Sequence, residues 1–298
     1  MDKLSPLASP TATRAVLEAH GLTTKYSLGQ NFLINDAILQ KIVALAEAGP
    51  DDRVLEVGPG IGTLTIALLK HVGQVTSVER DPDLPAVLAE TLAPWADRFT
   101  LVEKDALDLT ADDLPYEPNK LVANLPYAVA ATVVLDYFEH FPSITSATVM
   151  VQKEVADRMA ASPGSKNYGA YTVKLRLFAE PAGRFAVGPG NFFPPPRVES
   201  AVLRLNRRAT CDDAGTPLSP EEMQATCRMA EAGFANRRKT LSNSCKTYFA
   251  ARGAEGARIA SELPRIFEQA GIDPTRRGET LALEEFIRLG CALTAFEN

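Results

Sequence analysis

Arg53-Val54-Leu55-Glu56-Val57 runs directly into Gly58-Pro59-Gly60-Ile61-Gly62, and a helix-forming stretch, 63–71, follows at once. The first five residues read as a β-strand. The glycines read as a strand-to-helix turn in which small residues let the backbone approach a ligand. Working outward, 74–78 is a second strand ending at Glu79, and a helix over 84–93 leads to a third strand, 99–103, ending at Asp105. This alternation of strand and helix predicts a parallel sheet, hence an α/β fold. Further units are a strand at 120–123, a helix at about 129–138 and a strand at 146–151. Two more β-type runs, at about 183–187 and 198–205, lie close enough in sequence to predict an antiparallel pair at the sheet edge.

Upstream of the glycine turn, residues 1–12 carry two prolines and read as a loose tail. A short helix over 13–20 and another over 36–48 flank the polar stretch Thr24 to Leu33, which serves either as a clamp or as a connector. Downstream, Gly, Asp and Pro at 212–220 read as a linker. Beyond it, Met223, Cys227, Ala230, Phe234, Leu241, Cys245 and Phe249 follow a helical spacing. The expected division is a tail with a short helix over 1–23, an α/β domain over 24–208 and a helical domain over 209–298.

A chain of 298 residues with 46% hydrophobic and 23% charged residues fits a soluble globular protein. It has no apolar run of membrane-spanning length, and its first 25 residues lack the apolar core of a secretion signal. Four cysteines, none in a CxxC pair, and three scattered histidines argue against a zinc site and a disulfide framework. A reduced, cytoplasmic interior is the simple inference. The net charge of −6 argues mildly against a nucleic-acid partner. Local clusters at Arg204, Arg207 and Arg208, and at Arg237, Arg238 and Lys239, still allow a basic face, although a solvated structural role is the default for either.

The turn glycines Gly58, Gly60 and Gly62 follow G-x-G-x-G, not the G-x-G-x-x-G of dinucleotide binders, and the P-loop lysine is missing. Glu79 stands where an acid accepts hydrogen bonds from both ribose hydroxyls, and Asp105 could take an adenine amino group. The bland alternative is a turn followed by two solvated acids. A nucleoside cofactor without a diphosphate signature points to S-adenosylmethionine. A fourth strand end, Asn124-Leu125-Pro126-Tyr127, joins an amide to an aromatic ring on a stiff turn, which suits a planar, amino-bearing partner such as adenine. By itself this stretch also fits an ordinary turn with a packed tyrosine.

Several further motifs stand in order: Leu28-Gly29-Gln30-Asn31-Phe32-Leu33, Val151-Gln152-Lys153-Glu154-Val155, Phe193-Pro194-Pro195-Pro196-Arg197-Val198-Glu199-Ser200-Ala201-Val202 and Asn236-Arg237-Arg238-Lys239-Thr240-Leu241. With the glycine turn and the Asn-Leu-Pro-Tyr turn, they make residues 24–290 resemble the ribosomal small-subunit (16S) RNA adenine N6,N6-dimethyltransferases, the KsgA/RsmA type. The resemblance implies a Rossmann-like class I S-adenosylmethionine-dependent methyltransferase fold, with a seven-stranded, mostly parallel sheet and a small all-α C-terminal domain. It implies that Gln30, Asn31 and Leu33 close over the cofactor, that Gly58 and Gly60 line it, that Glu79 holds its ribose and Asp105 its adenine, and that Asn124 touches cofactor and target base. Asn124, Leu125, Pro126, Tyr127 and Phe192 would form the catalytic set, with Tyr127 and Phe192, rather than Phe193, stacking on the base. Arg237, Arg238 and Lys239 would bind RNA.

The implied partner is small-subunit RNA within the 30S subunit, with no membrane and no metal, and the expected state is a monomer. The alternatives are the large-subunit adenine methyltransferase of macrolide resistance, which shares the Asn-aromatic turn, and a ribosome-assembly factor without catalysis. The Lys166-Asn167-Tyr168-Gly169 loop reads either as a lid or as a connector. Ala282 stands where the family often has a Ser or Thr cap for the last helix.

Overall fold

The computed structural model describes residues 3–25 and 29–297; Tyr26, Ser27 and Leu28 of the polar loop lie outside the described residues. In chain order the elements of the first half are α1 (Pro10–Ala19), β1 (Phe32–Leu33), α2 (Asp36–Ala46), β2 (Arg53–Val57), α3 (Thr63–Leu69), β3 (Gln74–Glu79), α4 (Leu84–Thr91), β4 (Phe99–Glu103), β5 (Lys120–Asn124), α5 (Ala130–His140), β6 (Ser146–Gln152) and α6 (Lys153–Met159). The second half continues with α7 (Ala170–Arg176), β7 (Ala179–Val187), β8 (Phe192–Phe193), β9 (Ser200–Arg207), α8 (Pro220–Phe234), α9 (Leu241–Ala250), α10 (Gly253–Ala270) and α11 (Leu283–Glu297).

Seven strands form one sheet in the order β4-β3-β2-β5-β6-β9-β7. The strands from β4 to β6 pair in parallel, and β9 runs antiparallel to β6. β7 and β9 are neighbours, as their closeness in sequence suggests. Parallel strands covered on both faces read as apolar runs, and β6 is buried over six consecutive residues, Ser146 to Val151. The order reverses between β2 and β5. In open α/β sheets the ligand crevice lies at such a switch point, beyond the carboxyl ends of the strands.

The chain divides into two compact units, one of residues 1–156 with 181–207, the other of 157–180 with 208–298. A single cut at 208 gave no sign that 157–180 would belong with the C-terminal helices. In the second unit, Met229, Leu241, Phe249, Phe286, Leu289 and Leu293 share a core. Tyr168 is buried in that core, donates its hydroxyl to the Leu281 carbonyl at 2.8 Å and meets the Phe234 ring edge-on. Tyr168 therefore anchors the Lys166-to-Gly169 loop to this core, while Lys166 and Asn167 are exposed.

Three expectations change. The N-terminal stretch is not loose as far as residue 12: Leu7 and Ala8 are buried, and α1 begins at Pro10 with the Ser9 hydroxyl accepting the Ala12 N–H. Ser followed by Pro is a helix-start signal that the composition of the segment hid. The basic triplet is not helical. α8 ends at Phe234, residues 235–239 form a turn, and α9 starts at Leu241 with Thr240 as its cap. Arg204 and Arg207 form no basic face either. Arg204 bonds the Leu45 carbonyl and Glu47, and Arg207 donates to the carbonyls of Phe138, Phe141 and Ile144 at the end of α5.

Candidate active site

Gly58, Gly60 and Gly62 have φ of +69°, +61° and +90°. Side chains are strained there, so the turn after β2 is a backbone surface built from glycine. A Cβ on Gly58 would meet Pro126 Cδ at 3.6 Å, so the glycine turn lies against the turn that follows β5. A Cβ on Gly60 would lie 3.0 Å from the Phe32 ring, which covers that side of the turn. Phe32 is fixed in place because β1 pairs with β8, Phe32 opposite Phe193 and Leu33 opposite Phe192.

Asn124 ends β5, and its Nδ2 donates to the Asn31 carbonyl at 3.2 Å. That bond joins the N-terminal loop to the Asn-Leu-Pro-Tyr turn and leaves the amide oxygen as the end that Asn31 does not engage. The Leu125 N–H donates to the Met150 carbonyl at 3.0 Å, which fixes the turn to β6. Tyr127 is half-buried, and its hydroxyl lies 2.6 Å from the Ser200 hydroxyl. Burial pushes its phenol up, so it stays neutral.

Glu79 and Asp105, at the ends of β3 and β4, line a cleft of about 230 Å³ with Arg80, Asp81, Pro82, Glu103 and Lys104. Burial pushes the Glu79 carboxyl up, against the backbone N–H groups of Asp81, Arg80 and Gly60 that lower it. Its Oε1 accepts from Arg80 and Asp81 at 2.9 and 2.8 Å. Asp105 accepts the Leu107 N–H and pairs with Arg80 at 2.9 Å, and both hold its carboxyl below the usual range.

One expected site residue sits differently. Phe192 is 2% exposed and belongs to the main core, so its ring offers no open face to a base. Phe193 is only partly buried, and the Arg14 guanidinium lies 5.1 Å from its ring centre. Both rings belong to the same core, Phe192 within it and Phe193 packed at its edge. Gln30 also sits beside the site, but both ends of its amide are engaged, Oε1 by the Lys25 N–H and Nε2 by Asp81. Asp81, Lys25 and Ser200 escaped the sequence reading. Asp81 stands two residues after Glu79, a spacing that could have signalled it. Ser200 gave no such signal, because its closeness to Tyr127 comes from the sheet pairing.

Gly58, Glu79, Asp105 and Asn124 thus stand at the ends of four adjacent strands, β2, β3, β4 and β5. A turn of left-handed glycines with an acid at each of the two neighbouring strand ends fits a nucleoside-bearing cofactor such as S-adenosylmethionine. This fold and these strand ends define a class I S-adenosylmethionine-dependent methyltransferase. The family model "Ribosomal RNA adenine dimethylase" matches residues 21–288. The chain is 44% identical to the "Ribosomal RNA small subunit methyltransferase A" of Rhodococcus opacus over 95% of this chain and 93% of that one. Among solved structures it is similar to a dimethyladenosine transferase from Plasmodium falciparum, with a TM-score of 0.71 and 23% identity over 87% of this chain and 95% of that one. It is also similar to the 23S rRNA methyltransferase ErmE, with a TM-score of 0.64 and 28% identity over 88% of this chain and 99% of that one. The chain belongs to the ribosomal RNA adenine dimethylase family.

Proposed function

We propose that this enzyme transfers two methyl groups to N6 of each of two adjacent adenosines near the 3′ end of small-subunit ribosomal RNA, as a cytoplasmic monomer acting on the 30S subunit during ribosome biogenesis. The observation that carries the reading is the apposition of the Gly58 turn and the Asn124-Leu125-Pro126-Tyr127 turn, tied by Asn124 to Asn31. The small-subunit assignment is supported by the 44% identity to the Rhodococcus protein.

S-adenosylmethionine supplies a methyl group already activated on sulfur. The chain's own residues supply position and electrostatics. Gly58 and Gly60 offer backbone to the cofactor, Glu79 accepts from its ribose and Asp105 from its adenine amino group. Asn31 adjoins the same space through its carbonyl, which takes the Asn124 amide, whereas the Leu33 side chain is 3% exposed in the main core, so any contact from Leu33 is through its backbone. The lone pair on adenine N6 is delocalised into the ring. Two acceptors on its hydrogens, the Asn124 amide oxygen and the Leu125 carbonyl, favour a more tetrahedral nitrogen with a usable lone pair. A neutral amide is no strong base, so the proton leaves to water after transfer. Tyr127, its hydroxyl held by Ser200, supports the face of a base that has left its stack. Asn124→Ala should leave cofactor binding weakened but measurable by calorimetry, while methyl transfer falls by about a hundredfold or more. Full transfer in that variant would remove the acceptor role.

In the second unit, Arg237, Arg238 and Lys239 are exposed on the turn between α8 and α9, and they supply phosphate contacts in this reading. Arg237 is paired with Glu279 at 3.0 Å and lies near the Phe234 ring, so Arg238 and Lys239 carry more of the contact.

A further inference from the structure

Asp81 is 2% exposed and joins two parts of the cofactor site. Its N–H donates to Glu79 Oε1 at 2.8 Å, on the ribose side. Its carboxylate faces the other way. Oδ1 takes the Lys25 ammonium at 2.6 Å, and Oδ2 takes the Gln30 amide at 2.7 Å. Lys25 also reaches Asp83 Oδ2 at 2.5 Å, and its backbone N–H donates to Gln30 Oε1 at 2.9 Å. The residue after Gln30 is Asn31, whose carbonyl takes the Asn124 amide.

We infer that Lys25, Gln30 and Asp81 form a brace that sets Asn31 over the cofactor site, making all three positioning residues for S-adenosylmethionine binding. The inference rests on the methyltransferase reading of the site. A carboxylate as buried as Asp81 is costly unless it is paired and hydrogen-bonded. Here the compensating charge and amide come from Lys25 and Gln30, so these two residues are held where that charge is satisfied. Burial pushes the Asp81 carboxyl up, but Lys25, Asp83 and Gln30 outweigh it and keep it ionised. Gln30 acts through Asn31 rather than on the cofactor, because both ends of its amide are used within the brace.

The test is titration of S-adenosylhomocysteine into the full-length wild type, Lys25→Met, Lys25→Arg, Gln30→Ala and the double variant Lys25→Met with Gln30→Ala, with transfer rates measured against cofactor concentration. Lys25→Met should weaken binding by roughly tenfold and raise the cofactor KM more than it lowers kcat. Lys25→Arg should recover most of the affinity. Adding Gln30→Ala to Lys25→Met should cost less than Gln30→Ala alone, since members of one network are not additive. Wild-type affinity and KM in Lys25→Met, whether or not its melting temperature falls, would overturn the brace while leaving the methyltransferase reading intact. A wild type that binds no S-adenosylhomocysteine would overturn that reading, and the brace with it.

Discussion

Glu56 lies directly beneath the glycine turn, 1% exposed, and accepts the hydroxyls of Thr65 and Ser77 at 2.7 and 2.8 Å. Burial pushes its carboxyl up to about 7, and Glu79 adds to the shift. Between the ordinary value of 4.5 and about 7, the folded chain holds a proton that the unfolded chain has released. The stabilisation is therefore complete below the lower value, declines as the pH rises and is lost above the upper one. At about 1.4 kcal/mol per pKa unit, the loss is on the order of 3 kcal/mol. Glu56→Gln keeps an oxygen for both hydroxyls and removes the charge. Its melting temperature should exceed that of the wild type at pH 8, and the gap should close toward pH 5. Equal pH profiles for the two proteins would show that Glu56 does not titrate in this range. The strand-end residues Glu79, Asp105 and Asn124 were legible in the sequence because each stands at or just past the end of a β-type run. The burial of Phe192 was not, because tertiary packing decides which of two adjacent rings lies inside the core and which at its edge. Nor was the pairing of Asp81 with Lys25, which lies 56 positions away.

The elements of the second unit are held by close backbone approaches. A Cβ on Gly290 of α11 would fall 2.1 Å from Thr226 Oγ1 and 2.7 Å from the Thr226 backbone nitrogen on α8. Gly290→Ala should force these helices apart and destabilise the chain by about 1–3 kcal/mol. The measurement is the urea midpoint of unfolding, and an unchanged midpoint would show that the contact yields freely. The last helix lacks a hydroxyl cap at Ala282, but the Ala282 N–H donates to Glu285 Oε2 at 2.9 Å, and Arg276 pairs with the same carboxylate group. Half of a capping box therefore survives without its serine or threonine. Strands and helices of the α/β part were readable because their periods differ and glycine or proline separates them. The break between α8 and α9 was not, because the apolar spacing continues through it: Phe234, Leu241 and Cys245 pack in one cluster on either side of a turn. Thr240, whose hydroxyl caps α9, was the only local sign.

At the scale of the whole molecule, the net charge of −6 gives no hint of an RNA substrate, so phosphate contact has to come from local groups. The proposed contacts at Arg238 and Lys239 are electrostatic and sequence-independent. Lys239→Glu should weaken binding of small-subunit RNA at low salt and reduce the slope of log affinity against log salt by about one or more. An unchanged slope would assign Lys239 to solvent. The membership of 157–180 in the second unit was invisible in the sequence, because contacts rather than composition draw that boundary. Among the described residues no helix is long and apolar enough to cross a membrane. The account centres on adenine dimethylation in small-subunit RNA. The most direct measurement is to incubate the purified protein with labelled S-adenosylmethionine and, separately, unmethylated small and large ribosomal subunits, then to map the label by nuclease digestion and mass spectrometry. The account predicts N6,N6-dimethyladenine at two adjacent positions near the 3′ end of small-subunit RNA and none in large-subunit RNA. Label confined to large-subunit RNA, or binding without transfer to either, would contradict it.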